Sequence, residues 1–324
     1  MDRLVLIDGN AILHRAYHAL PPLTSRDGKV VNAVYGFFGM LFRVVEDLKP
    51  THLAVAFDTE KPTFRHAAYV GYQAHRPRLE SDLAEQITLT QELLLSGGIP
   101  VFIAPGYEAD DIIGTLARQA AEINTNKYQY QILQLVMKHV KVYAPIRGLT
   151  ETHIFDEKEV KNYMGVTPAQ IVDYKALIGD QSDNYPGVAG IGPKTAVGLL
   201  EKFKTFEGVY NAIRDTKYAK RISQNVIQKL AEGHESGVLS RDLATIRTDA
   251  PVSFDLEKME FKEFRNNESL VEAFRELGFK SLVARATSAE TEKQKNLPAQ
   301  AGEKTEKPDK QSLTLRDKEQ MELL

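Results

Sequence analysis

No cysteine occurs in the 324 residues, which removes disulfides, zinc–thiolate sites and thiol catalysis together. The eight histidines are scattered without metal-ligand spacing, so any metal must be held mainly by oxygen, a donor set that suits magnesium or manganese. No apolar run is long enough to span a membrane, and the opening MDRLVLIDGN enters a short strand pattern without a basic-then-apolar leader. The expectation is a cytoplasmic protein. Nor does one charge dominate: a formal net charge of -3 argues against indiscriminate attraction to polyanions and leaves nucleic-acid contact to the local placement of Lys and Arg. The first apolar run is followed by DGNAIL instead of GxGxxG, which sets a dinucleotide cofactor aside. One absence is local. Residues 126–136, NKYQYQILQLV, hold no carboxylate, although two earlier strand-like runs end on acids.

With 43% hydrophobic and 26% charged residues, the chain has the material of a folded protein with a substantial core. Residues 4–7 and 53–57 are compact apolar runs that suit inner strands and end at Asp8 and Asp58. Further strands are expected at 100–103 and 140–143, and helices at 11–20, 32–48, 82–94, 107–121, 156–163 and 168–178. Between 59 and 81 the sequence TEKPTFRHAAYVGYQAHRPRLES loses periodicity, as a surface loop or a substrate-facing element would. Residues 179 to about 285 are mostly helical after Gly/Pro turns, and from 286 onward the polar sequence is expected to be a disordered linker or tail. The fold class expected is α/β, a central mostly parallel sheet flanked by helices, with a C-terminal helical subdomain.

In a parallel sheet Asp8 and Asp58 emerge at one carboxyl edge, where α/β proteins place their sites; alone, each serves equally well as a helix cap. GYEADDIIG adds Glu108 and Asp111 on one helix face and Asp110 at its side. Favourable charge at a helix start also explains such acids, yet three so close repel one another, and a divalent cation would convert repulsion into binding. In GDQSDNYPGVAGIGPKTAVGLL, Asp180 and Asp183 can point toward a shared ion. Gly187, Gly190 and Gly192, followed by Pro193, Lys194 and Thr195, have the form of a hairpin between two helices. Its backbone N–H groups can face a phosphate, although a helix–helix turn without a ligand has the same composition. Residues 63–78 interleave Arg65, His66, His75, Arg76 and Arg78 with Phe64, Tyr69 and Tyr72. That mixture suits phosphate contact and base stacking, or a solvated loop.

The fragments LIDGNAILHRAYHALPPLT, VNAVYGF, AVAFD with TFRH, YEADDIIGTLA, LQLV, DYKALIGDQSDNYPGVAGIGPKTA and SRDLATIRTD together resemble the 5′ nuclease domain at the N-terminus of bacterial DNA polymerase I, within the wider flap endonuclease family. The likeness runs from about residue 4 to 285. It implies a PIN-like core at 1–178 with a helical arch at 59–95, a helix-hairpin-helix DNA-binding subdomain at 179–285, and the tail at 286–324. The activity implied is a structure-specific 5′-3′ exonuclease and 5′-flap endonuclease. It would hydrolyse phosphodiester bonds at single-strand/duplex junctions of DNA, or of an RNA primer on DNA, in replication and repair, using water activated by Mg2+ with Mn2+ able to substitute. Carried over by motif, Asp8, Asp58, Glu108 and Asp110 form a first metal site, and Asp111, Asp180 and Asp183 serve a second. Arg65, Tyr72, Gln73 and Arg76 belong to the DNA-contacting arch, with Tyr72 stacking and Arg76 meeting the reacting phosphate. Gly187, Gly190, Gly192, Lys194 and Thr195 grip duplex backbone, with a monovalent cation at the hairpin. The partner implied is flap or nicked duplex DNA. Covalently linked proofreading-fold and polymerase domains are expected in longer relatives, and the protein is expected to be a monomer without membrane contact.

Two departures from the family pattern bear on activity. Where the family carries TGDxD ahead of LQLV, an ungapped alignment puts Gln129 and Gln131 at the two acids, and an amide is a neutral ligand. The short spacing also suits a deletion in which residues 124–129 supply only a turn and strand entry and the rest of a central strand is missing. Gln73 stands where the family has lysine, and it can donate a hydrogen bond but not neutralise charge. Both departures make an impaired or inactive junction-binding module the alternative.

Overall fold

A computed structural model describes residues 2–76, 79–121, 126–129, 133–138, 140–147, 151–262 and 267–287, with backbone alone at 121, 126–129 and 145–147. Arg78, Gln131 and residues 288–324 lie outside the described residues; the expected start of the tail at 286 is corrected, because Ala286 and Thr287 end a helix and Ala286 is fully buried in the core.

The sheet has strands β1 (Arg3–Asp8), β2 (His52–Ala56), β3 (Val101–Phe102), β4 (Asn126–Gln129), β5 (Val140–Arg147) and β6 (Glu151–Phe155). Their spatial order is β3-β2-β1-β4-β5-β6. Every neighbouring pair is parallel except β5 with β6, so the mostly parallel expectation holds. β1 is buried on both faces, and its alternation sends Val5 and Ile7 into one core and Leu4 and Leu6 into another. β4 pairs on both sides, Leu6 with Gln129 and Lys127 with Val140, a strand entry that the substitution and the deletion readings both allow. Gln129, the last described residue before 133, stands opposite Leu6, two registers before Asp8. The antiparallel β6 was not expected from the sequence.

The first five helices are α1 (Gly9–Ala19), α2 (Asn32–Leu48), α3 (Phe64–Ala68), α4 (Ser81–Ser96) and α5 (Ala109–Ala121). α1, α2 and α4 cover one sheet face with Leu13, Phe37, Phe38, Leu41 and Leu94. α5 covers the other with Ile112, Ile113 and Leu116, against Ile246 and Met259. Within the expected arch at 59–95, α3 and α4 are helical, and α4 buries Leu83, Gln86 and Leu94.

Next come α6 (Glu157–Met164), α7 (Ile171–Ile178), α8 (Pro193–Phe203), α9 (Phe206–Arg214), α10 (Thr216–Ala219), α11 (Gln224–Glu232) and α12 (His234–Ala244). Of these, α6, α7, α8, α9 and α11 share a separate core with β5 and β6 through Val142, Phe155, Leu177, Leu200 and Phe206, while α12 packs Leu243 and Ala244 with Tyr72 and Tyr185. The last two, α13 (Glu268–Glu276) and α14 (Lys280–Thr287), return to the first core, where Phe274 meets Phe38 at a ring-centroid distance of 5.0 Å.

Candidate functional site

Asp8 closes β1, Asp58 follows β2 by two residues, and the parallel register brings both to one edge. Asp8 Oδ1 accepts from Ala11 N at 2.9 Å, capping α1. Asp58 Oδ1 accepts from Ala109 N at 2.8 Å, which docks the start of α5, and with it Asp110, beside the strand ends. Glu108, just before α5, accepts from Thr63 Oγ1 at 3.1 Å and from Tyr72 Oη at 3.0 Å, and its Oε2 lies 3.2 Å from Arg65 Nη1.

These carboxyls are desolvated and repel one another. Burial raises Asp8 well above the usual carboxylate range, and the charges of Asp58 and Asp110 add to it. Burial likewise raises Asp58. Asp110 is pushed up to about 7, by burial first and Asp58 next. Glu108 also reaches about 7, by burial, despite the opposing charge of Arg65. A bound cation would relieve both penalties. The all-oxygen, mutually repelling donor set fits a hard divalent ion. Its spacing is not that of a finished cage, since among the described residues no group of three acidic or histidine side chains is placed to hold a metal ion.

Several expected roles are corrected by the geometry. Asp111 is fully buried, one helix position past Asp110 and therefore turned inward. Its oxygens accept from Arg65 Nη1 and Nη2 at 2.8 and 2.9 Å, from Arg247 N at 2.8 Å and from Glu108 N at 3.1 Å, so it is not available to a second metal. Arg65, 3% exposed, also donates to the carbonyls of Leu243 and Thr245 at 2.8 and 3.1 Å. It ties α3, α5 and the C-terminal end of α12 together and is turned into the protein. Tyr72 is equally buried, its hydroxyl spent on Glu108 and its ring edge-on to His66, so it presents no face for base stacking.

Asp180 and Asp183 do not converge on a common space. Lys175 Nζ lies 2.7 Å from Asp180 Oδ2, and Ser182 donates to Asp180 Oδ1 from its hydroxyl at 2.6 Å and its N–H at 2.9 Å. Burial alone would raise Asp180, but Lys175 and Ser182 more than offset it and hold the carboxyl below its usual range. Asp183 Oδ1 accepts from Arg76 Nη2 at 2.8 Å and from Gln73 Nε2 at 3.0 Å. Its charge still reaches the first cluster, raising both Glu108 and Asp110. Gln73 N donates to Asp183 O, and Asn184 Nδ2 returns a bond to Gly71 O at 2.6 Å. Residues 71–76 are thus clasped to the turn after α7. Sequence reasoning missed Lys175, Thr63 and Asn184, none of which carries a signal outside the folded arrangement.

The glycine hairpin forms as expected. Gly187 has φ +63 and packs so tightly that a Cβ would lie 2.1 Å from Gly179 N, a position only glycine can fill. Gly187 N donates to Ser240 Oγ and Val188 N to Leu177 O, locking the hairpin onto α7 and α12. The N–H groups of Gly190 and Gly192 are exposed and carry no internal hydrogen bond among the described residues. Pro193 opens α8 immediately afterwards, with Lys194 exposed beside it. Free N–H groups at a helix start favour an anion.

An acidic edge on a mostly parallel α/β sheet thus stands in one chain with a helical unit that presents a glycine hairpin. The family model described as 5′-3′ exonuclease, N-terminal resolvase-like domain, matches residues 3–165, and the one described as 5′-3′ exonuclease, C-terminal SAM fold, matches residues 166–267. The chain belongs to the 5′-3′ exonuclease family. It is 41% identical over 303 residues to DNA polymerase I of Bacillus caldotenax, covering 92% of this chain and 34% of that protein. With DNA polymerase I of Bacillus subtilis (strain 168) the identity is 40%, covering 91% and 34%. The chain spans about a third of the length of these relatives. Among solved structures, the T5 5′-exonuclease with bound divalent zinc ions superposes with a TM-score of 0.62 at 17% identity, over 88% of this chain and 97% of that one, a likeness that bears on the fold alone.

Proposed function

We propose that this chain is a divalent-cation-dependent 5′ nuclease that hydrolyses DNA, or an RNA primer on DNA, at the junction of a single strand with a duplex. The observation that carries the reading is the cluster of Asp8, Asp58, Glu108 and Asp110, desolvated and mutually repelling at the sheet edge. Those four would hold the cation, with Mg2+ preferred and Mn2+ accepted. When bound, such an ion supplies charge stabilisation at the phosphate and an activated water. Asp183 completes the acidic wall from the far side once Arg76 leaves it for a substrate phosphate, and Asp180 orients that turn. Thr63, Tyr72 and Arg65 aim Glu108. The hairpin N–H groups of Gly190 and Gly192, with Lys194 and Thr195, hold duplex backbone, and the hairpin carbonyls suit a monovalent cation. Gln73 keeps a hydrogen-bond donor where a charge would neutralise more. Replication and repair are the settings in which primers and flaps arise. Among the described residues no helix is long and apolar enough to cross a membrane.

The test is single-turnover cleavage of a labelled 5′-flap duplex with magnesium, manganese or chelator, beside a binding titration on the same substrate. Divalent-dependent cutting near the junction is expected, and Asp110→Ala is expected to abolish it while largely keeping metal-free binding. Cutting that survives Asp110→Ala sinks the assignment of the metal site. Tight binding without any cutting would identify a junction-binding module instead, a reading motivated by the neutral Gln73 on Asp183 and by the neutral Gln129 in β4 beside β1.

A further inference from the structure

Arg65, Arg76, Arg241, Arg247, Arg275 and Arg285 each sit in an ion pair. The segment around α10 is different. Arg214, Lys217, Lys220 and Arg221 are all exposed, and none forms an ion pair among the described residues. The acid among them, Asp215, spends its carboxylate on Lys217 N at the start of α10. At the centre stands Tyr218, 39% exposed, with Lys217 Nζ at 5.7 Å and Arg221 Cζ at 5.8 Å from its ring centroid. The tyrosine face is thereby used to hold cations in place and is not free to stack on an unpaired base.

Tyr218 also meets Phe203 edge-on at 6.5 Å, and Phe203 is the last residue of α8, whose first turn carries the hairpin. The patch therefore lies one α8 length from the hairpin N–H groups, about 16 Å for an 11-residue helix. Two phosphate-seeking surfaces held apart by a rigid helix match a stiff partner, and duplex DNA is stiff over far longer distances. We propose that Arg214, Lys217, Lys220 and Arg221, arranged around Tyr218, form a second contact for the sugar-phosphate backbone of duplex nucleic acid, set apart from the hairpin. This rests on the reading of the hairpin as a duplex-binding element.

The experiment compares the full chain with R214Q/K217Q/K220Q/R221Q by fluorescence anisotropy. Probes are a blunt duplex without a flap and a single strand of equal length, titrated at several salt concentrations. For the variant, duplex affinity should fall on the order of tenfold, and the slope of log affinity against log salt should lessen by about 2 to 3, at about 0.9 per lost phosphate contact. Single-strand affinity and the melting temperature should hold. Tyr218→Ala, which keeps every charge, should cost duplex affinity only about threefold. An unchanged duplex slope in a folded variant overturns the patch, as does an equal loss on the single strand. Wild-type protein that binds no duplex overturns both the patch and the functional reading on which it rests.

Discussion

Arg65 is the residue whose role composition conceals. Beside Phe64, Tyr69 and Arg76 it looks like part of a nucleic-acid surface, yet its planar fork meets two carboxylates and two carbonyls inside the protein. Removing it would strand Asp111 in a site with no solvent exposure. Arg65→Met is expected to cost about 3–5 kcal/mol, the usual price of an orphaned buried charge, read as a lower midpoint in urea; an unchanged midpoint would refute the network. The acids next to it make a second prediction. Glu108 and Asp110 titrate near 7 in the folded, cation-free protein, above the unfolded range near 4. The folded state therefore binds more protons between these limits, and stability should fall as pH rises from about 4 to about 7. A divalent ion takes the place of those protons, so added magnesium should raise the melting temperature more at pH 8 than at pH 5. Equal shifts at both pH values would mean that the cation binds elsewhere. The acids were legible in the sequence because each follows an apolar run or opens a helix. The inward turn of Arg65, Tyr72 and Asp111 was not, because their partners come from residues far along the chain.

Helix α2 has the extent its apolar pattern predicts, and the hairpin was legible from its glycines, whose backbone demands are local. β4 and β6 are the opposite case. NKYQ has no apolar alternation and becomes a strand through pairing with β1 and β5, while ETHIF is drawn into the sheet by its antiparallel pairing with β5. Among helices, α13 carries an energetic consequence. Phe274 is fully buried against Phe38, Phe42 and Phe279, so Phe274→Ala should destabilise the N-terminal core by about 3–5 kcal/mol. Chemical denaturation followed by the near-ultraviolet signal of that core checks it, and a loss below about 1 kcal/mol would show that the helix docks loosely.

Among the described residues, four hydrophobic clusters and one clasp join distant segments into one molecule. The second family model ends at residue 267, but α13 and α14 lie beyond it and complete the first core, so the chain closes on its own beginning. Across the candidate site, Asn184 at φ +55 holds Gly71 O while Gln73 and Arg76 hold Asp183. Asn184→Gly keeps that backbone conformation accessible and removes the side-chain bond. The variant should melt near the wild-type temperature yet be cut by chymotrypsin after Tyr69 or Tyr72 several-fold faster; unchanged cutting would show that the clasp does not secure this segment. By itself the sequence determined the parallel α/β core, the acids at its edge and the glycine hairpin, because apolar periodicity, strand-end acids and positive-φ glycines act over a few residues. Only the tertiary structure decided which charges are spent inside and which face outward. A guanidinium reads the same in sequence whether it meets Asp111 or solvent, and its partner is set by the packing of helices that lie far apart along the chain.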